Sequence, residues 1–295
     1  MAVVVASLGS GLAQEHATAP TRVVVLGSGA PAADPEHWGP AVAIVVNDRA
    51  YLIDCGPGVV RRAAAAEKNG IAAFKATKLN IVFITHLHSD HTVGYPDLIF
   101  SPWVLGRKEA LEAYGPRGLK KMTTHIEKAW TEDVQIRRRG LEQANATGYT
   151  VKVHEIQPGV VYRDENVTVT AFPVKHGIWK EAYGYKFETR DRKIVLSGDT
   201  APSDEVVKAC DGCDVLLHEV YNPHGDELKE AHWKDYFRTF HTSPAELGEI
   251  ARRAQPKLLV VYHAVFEGLP EPDLLEQIGK EYSGKWVAAR DLGVY

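Results

Sequence analysis

Three histidines and an aspartate occupy six positions in "HLHSDH", residues 86–91, directly after an apolar β-former run at residues 81–84. Burying imidazoles and a carboxylate this densely is costly unless something compensates them. On a strand, positions two apart share a face, so His86 and His88 can address one point. Ser89 then turns the chain, and Asp90 and His91 can address a neighbouring point. Imidazole nitrogens with a carboxylate are the donors that borderline cations such as Zn²⁺ favour. A chain carrying this stretch must bring it to further donors.

Three later residues stand where such donors are needed. His176 follows "VTVTAFPVK", Asp199 follows "KIVLSG" and His263 follows "KLLVVY", each at the end of an apolar, β-branched run. Around them the chain alternates strands and helices from Thr21 onward, without a linker-like break or an internal repeat. "TRVVVLG", "AVAIVVN", "AYLIDCG", "KLNIVFITH", "YTVKVHEI", "VTVTAFPV", "AYGYKFET", "RKIVLSGD", "DVLLHEV" and "KLLVVYH" read as strands. "VVRRAAAAEKNG" reads as a helix stopped at Gly70. "PRGLKKMTTHIEKAWTED", "SPAELGEIARRA" and "EPDLLEQIGKEY" also read as helices. The polar piece Arg137 to Gly148 reads as a surface loop. The glycines of "VVVLGSGAPAAD" lack the following helix that a dinucleotide-binding loop requires. Gly27, Ser28 and Gly29 are expected to form a tight loop at the rim of the site instead.

The motifs "LIDCGPG", "THLHSDH", "PVKHG", "SGDT" and "VVYHAVF" resemble those of the metallo-β-lactamase fold hydrolases, from about Arg22 to the C-terminus. "FHTSPAELGEIA" is similar to the histidine motif of the branch holding RNase Z and the zinc-dependent arylsulfatases. The resemblance implies an α/β fold, a four-layer αββα sandwich, with a dinuclear zinc site at one edge. It makes His86, His88 and His176 ligands of one metal, and Asp90, His91 and His263 ligands of the other. Asp199 bridges them, and Asp54 supports the site from behind. It also makes Asp90, His241 and Glu219 the residues of catalysis, with His241 facing substrate and Glu219 orienting it. His218, on the opposite face of its strand, reads as structural.

Composition narrows the rest. The chain has 295 residues and a formal net charge of −4, with no basic surplus for tracking phosphates. Residues 21–295 read as one domain. Residues 1–20 carry a short apolar run and a small-x-small pattern ending at Ala13, read as a secretory leader directing the chain to the periplasm or outside the cell; an unstructured terminus is the alternative. No segment approaches the length of a membrane span. Cys210 and Cys213 form a lone C-x-x-C, read as small residues in a helix-to-strand turn, with a redox pair as the other reading. Trp38, Trp103, Trp179, Tyr221 and Phe266 are candidate pocket walls.

The expected activity is hydrolysis of small esters: sulfate, phosphodiester, lactone or carboxylic. A β-lactam amide comes next, RNase Z-type phosphodiester cleavage third, and a non-catalytic metal-binding protein is the alternative outside enzymes. RNase Z carries a tRNA-gripping arm between its "HG…GY" segment and its "GDT" strand. "KHGIWKEAYGYKFETRDRKIVLSGDT" has no room for one, and Pro57 stands where RNase Z usually has an acidic residue. The expected partner is therefore a small molecule and not nucleic acid; any oligomer is expected to be a homodimer.

Overall fold

The computed structural model describes residues 20–295. The proposed leader, Pro20 aside, lies outside the described residues. In chain order the first half holds β1 (Arg22–Gly27), β2 (Ala41–Val46), β3 (Arg49–Ile53), α1 (Val59–Lys68), β4 (Ile81–Phe83), α2 (Ser89–Thr92), α3 (Tyr95–Val104), β5 (Leu111–Gly115), α4 (Leu119–Ala129), α5 (Thr131–Arg139) and β6 (Val151–Glu155). The second half holds β7 (Gly159–Arg163), β8 (Val167–Pro173), β9 (Tyr183–Thr189), β10 (Lys193–Leu196), α6 (Asp204–Cys210), β11 (Val215–Tyr221), α7 (Ala231–Phe240), α8 (Pro244–Ala254), β12 (Leu259–Val265), α9 (Glu271–Glu281) and β13 (Trp286–Ala288).

The strands make two mixed sheets. β1 to β6 lie in chain order in one, and the other runs β13-β12-β11-β10-β9-β8-β7. The sheets pack face to face through Val25, Ile44, Phe83, Tyr185, Phe187 and Leu217. Alternation sends the other faces outward. There Leu26, Leu52 and Val82 meet α1 and α3, while Leu216, Val220 and Val261 meet α6, α8 and α9. Helix, sheet, sheet, helix is the four-layer sandwich expected.

Several local readings change. The long helix expected after Pro116 divides at Trp130 into α4 and α5, and Arg137, Arg138 and Arg139 form the last turn of α5, so the surface loop begins only beyond them. The short strands β5, β7 and β13 and the helices α3 and α7 were not expected. In α7 the signal was present: Trp233, Tyr236, Phe237 and Phe240 recur at helical spacing. Cys210 and Cys213 do sit in the turn between α6 and β11, but a disulfide joins them. Trp103 belongs to the core, its indole N–H bonded to the Asn145 carbonyl oxygen, and lines none of the three cavities beside the site.

Candidate metal centre

Loops at one edge of the sandwich bring the donors together. His86 and His88 lie beyond β4 in the loop to α2, not on a strand. Ser89 opens the short helix α2, which carries Asp90 and His91. The face-sharing expected of a strand is thus achieved by a loop and one helical turn. His176 lies three residues beyond β8, and Asp199 three beyond β10. Gly198 precedes Asp199 with φ +62°, and a Cβ there would sit 2.8 Å from the Tyr183 carbonyl oxygen, so this turn requires glycine.

His263 corrects the strand-end reading. It lies inside β12 in the left-handed region, φ +46°. Between the pairs His218–Val261 and Val220–Ala264, β11 contributes Glu219 alone while β12 contributes Tyr262 and His263. This is a β-bulge, and a bulge re-aims a side chain. The His263 amide donates to the Ser28 carbonyl oxygen at 2.9 Å, which fastens the bulge to the loop after β1.

The donors form two groups. His86, His88, His176 and Asp199 make one; Asp90, His91 and His263 make the other. In the first, His88 Nδ1 lies 3.0 Å from His86 Nε2 and 3.1 Å from His176 Nε2. In the second, His263 Nε2 lies 3.2 Å from His91 Nε2 and 3.2 Å from Asp90 Oδ2. Ligands held 2.0–2.1 Å from a tetrahedral ion stand roughly 3.3 Å from each other, so the spacing fits such ions. Asp199 Oδ2 lies 3.3 Å from His91 Nε2, 3.4 Å from His263 Nε2 and 3.9 Å from His86 Nε2, between the groups. Asp199 Oδ1 is buried without a hydrogen-bond partner among the described residues. A carboxylate oxygen left so in the interior fits a cation nearby.

The opposite ring edges are already committed. His91 Nδ1 donates to Asp54 Oδ2 at 2.8 Å, and His176 Nδ1 donates to the Phe240 carbonyl oxygen at 2.8 Å. Thr85 Oγ1 donates to Asp54 Oδ2 at 2.8 Å, so it accepts from His86 Nδ1 at 3.0 Å. In each case the free Nε2 lone pair faces the cluster, the arrangement that orients a metal-binding histidine. Thr85, whose amide also donates to Asp54, is a supporting residue that sequence reasoning missed. Burial lowers the basicity of His86 well below the usual imidazole range, aided by His91. At His91 burial acts the same way, but the carboxylates Asp199, Asp54 and Asp90 overcome it and raise it.

His241 and Glu219 meet as expected. Glu219, fully buried opposite the bulge, accepts from the amides of Thr200 and Thr242 at 3.1 Å each and from His241 Nδ1 at 3.3 Å. It thereby ties the "SGDT" loop to the "FHTSP" loop. His241 belongs to neither donor group and lines a cavity of about 720 Å³ with Trp233, Tyr236, Phe237 and Phe266. A second cavity, about 580 Å³, reaches His88 between Trp179, Tyr236 and Phe240; Trp38 walls a third beside Asp90. The Trp179 indole donates to His88 Nε2 at 2.8 Å. Tyr221 is buried and faces away, toward a cavity beside α8. His218 points into the helix layer, its Nδ1 bonded to the Glu219 carbonyl oxygen at 2.7 Å.

Comparison with known proteins places this arrangement. Residues 49–264 match the family described as "Beta-lactamase superfamily domain". The chain is 32% identical to a ribonuclease Z of Mycobacterium sp. (strain KMS) over 244 residues, 82% of this chain and 83% of that protein. It is 30% identical to the ribonuclease Z of Mycobacterium bovis (strain BCG / Pasteur 1173P2) over 281 residues, covering 92% and 96%. Among solved structures it is similar to YhfI from Bacillus subtilis, a metallo-beta-lactamase fold protein: TM-score 0.71 at 20% identity, covering 94% of this chain and 100% of that one. It is also similar to the short form of human tRNase Z: TM-score 0.68 at 23% identity, covering 93% and 98%.

Proposed function

Because this chain belongs to the metallo-β-lactamase superfamily, on its RNase Z-like branch, and is a metal-dependent hydrolase, we propose that it is a dinuclear zinc phosphodiesterase. The observation that carries the reading is Asp199 Oδ2 lying between two complete donor groups, with the His241–Glu219 pair standing outside both. Two metals side by side suit in-line displacement at phosphorus. The RNase Z relatives favour this over the sulfate and carboxylic esters, the lactone and the β-lactam amide.

When bound, the zinc pair supplies Lewis acidity and lowers the pKa of water. His86, His88 and His176 would hold one ion, and Asp90, His91 and His263 the other, with Asp199 shared. Asp54, through Thr85 and His91, keeps ring nitrogens aimed inward. Asp90 also borders the cavity beside Trp38 and so faces arriving substrate. His241 offers Nε2 to the departing oxygen while Glu219 holds its other edge.

The substrate is proposed to be a small phosphodiester, with precursor tRNA the competing candidate drawn from the relatives. Arg190, Asp191 and Arg192 alone connect β9 to β10, which supports the small substrate because no gripping arm interrupts that hairpin. Export to an oxidising compartment is proposed with it, supported by the Cys210–Cys213 disulfide. The test is a panel on zinc-loaded protein: bis(p-nitrophenyl) phosphate, p-nitrophenyl sulfate, p-nitrophenyl butyrate, a chromogenic cephalosporin and precursor tRNA. The phosphodiester should lead. Sulfate or cephalosporin turnover above it would overturn the chemistry, and efficient tRNA 3′ cleavage with weak small-diester turnover would overturn the substrate.

A further inference from the structure

The loop after β1 holds an imidazole that the metal centre does not use. His37 lies between two cavities, one opening on Asp90 and the other on His241. Its ring packs at 5.3 Å from Phe266. Its Nδ1 lies 3.0 Å from Ser28 Oγ, and Ser28 Oγ lies 2.8 Å from Asp291 Oδ1. A carboxylate only accepts, so the single hydroxyl proton of Ser28 goes to Asp291. Ser28 can then only accept from His37, which places the His37 ring proton on Nδ1. Asp291 is itself held by the amides of Ser28 and Trp38 at 2.9 and 3.0 Å and by Arg62 at 3.6 Å. The tautomer is therefore set by a chain of contacts anchored at Asp291. In the neutral ring the opposite nitrogen, Nε2, then carries the lone pair, and it has no hydrogen-bond partner among the described residues.

A lone pair beside an aromatic cavity recognises a hydrogen-bond donor. We infer that His37 is a specificity residue that accepts a hydrogen bond from a hydroxyl of the departing alcohol, selecting phosphodiesters of sugar-like alcohols over those of plain alkyl alcohols. The inference rests on the phosphodiesterase reading. The alcohol occupies the cavity shared with His241, its ring against Phe266 and Trp233, its ester oxygen toward His241 and its hydroxyl toward His37 Nε2. Ser28 is a positioning residue acting through His37. Sites built to bond a hydroxyl discriminate strongly against analogues that lack it.

The test compares the methyl ester of uridine 5′-phosphate with its 2′,3′-dideoxy analogue on zinc-loaded protein, following nucleoside release by chromatography. A parallel arm measures uridine and 2′,3′-dideoxyuridine binding by calorimetry. The wild type should favour the hydroxylated member about tenfold in kcat/KM and in Kd, the worth of one net hydrogen bond. His37→Phe should bring both ratios to about one, whatever it does to the absolute rates. His37→Gln, whose amide oxygen can replace the acceptor, should restore most of the preference, and Ser28→Ala should weaken it. A wild type without preference, or a His37→Phe variant that keeps it, overturns the inference. If neither ester is cleaved, the phosphodiesterase reading falls, and the calorimetric ratio still decides for or against His37.

Discussion

At the residue scale, two of the histidines outside the donor groups, His241 and His218, differ in what surrounds them. His241 faces a cavity, so its effect belongs to the reaction. A proton donor helps most when the departing oxygen is basic. His241→Ala should keep its metal content yet lose turnover, most steeply for alkyl leaving groups and least for nitrophenolate. The rate ratio of wild type to variant across a leaving-group series checks this; a flat ratio or lost metal would refute proton donation. His218 is buried in the helix layer, and burial pushes it down to about 4 despite the Glu219 carbonyl that accepts from it. A histidine whose folded pKa is depressed binds its proton first in the unfolded chain. Its contribution is intact above about pH 6.5 and is lost as pH falls toward 4, about 2 kcal/mol of it by pH 5. Relative to wild type, His218→Leu should therefore gain about that much between pH 7 and pH 5 in denaturant titrations. An unchanged difference would mean that His218 does not titrate with unfolding.

At the element scale, α7 is the piece that turns a metal cluster into an enclosed site. Its aromatics wall two cavities, with Tyr236 in both, and its last carbonyl, on Phe240, fixes the His176 tautomer. The helix is seated by close approach to the "PVKHG" loop. Gly177 has φ +54°, and a Cβ there would fall 1.9 Å from the Phe240 ring. Gly177→Ala should cost roughly 1–3 kcal/mol from backbone strain and overpacking together. It should also weaken zinc binding, because moving Phe240 loosens His176. Thermal melts and a competitive zinc titration read the two effects. Normal zinc affinity in a destabilised variant would separate α7 from the metal site.

At the scale of the whole molecule, the centre is a junction between the halves of the sandwich. His86, His88, Asp90 and His91 follow β4 of the first sheet, whereas His176, Asp199 and His263 come from the second. Metal bound there fastens one sheet to the other. An ion that binds only the folded state stabilises it by about 2.7 kcal/mol at one hundred times its Kd. Chelation should lower the melting temperature of the wild type, and Asp199→Ala should lose much of both metals and melt near the chelated wild type. Elemental analysis with matched melts checks this; full metal in the variant, or a melt insensitive to chelator, would refute the shared role of Asp199.

The donors were legible in the sequence because metal chemistry dictates residue type. The site is built from histidine and aspartate side chains, and they stand out against the apolar runs that deliver them. Most strands and several helices were legible by their periods, whereas the four layers came only from the family resemblance that the motifs carry. The tertiary structure alone decided how His263 enters the site, because a bulge is a mismatch between two strands and neither strand records it. It alone revealed Thr85 beneath Asp54, and His37 locked by Ser28 and Asp291, residues far apart in the chain. It alone joined Cys210 to Cys213, which the spacing had left open. Local sequence carries periodicity and chemical type; which lone pair remains free depends on neighbours that only folding brings within 3 Å.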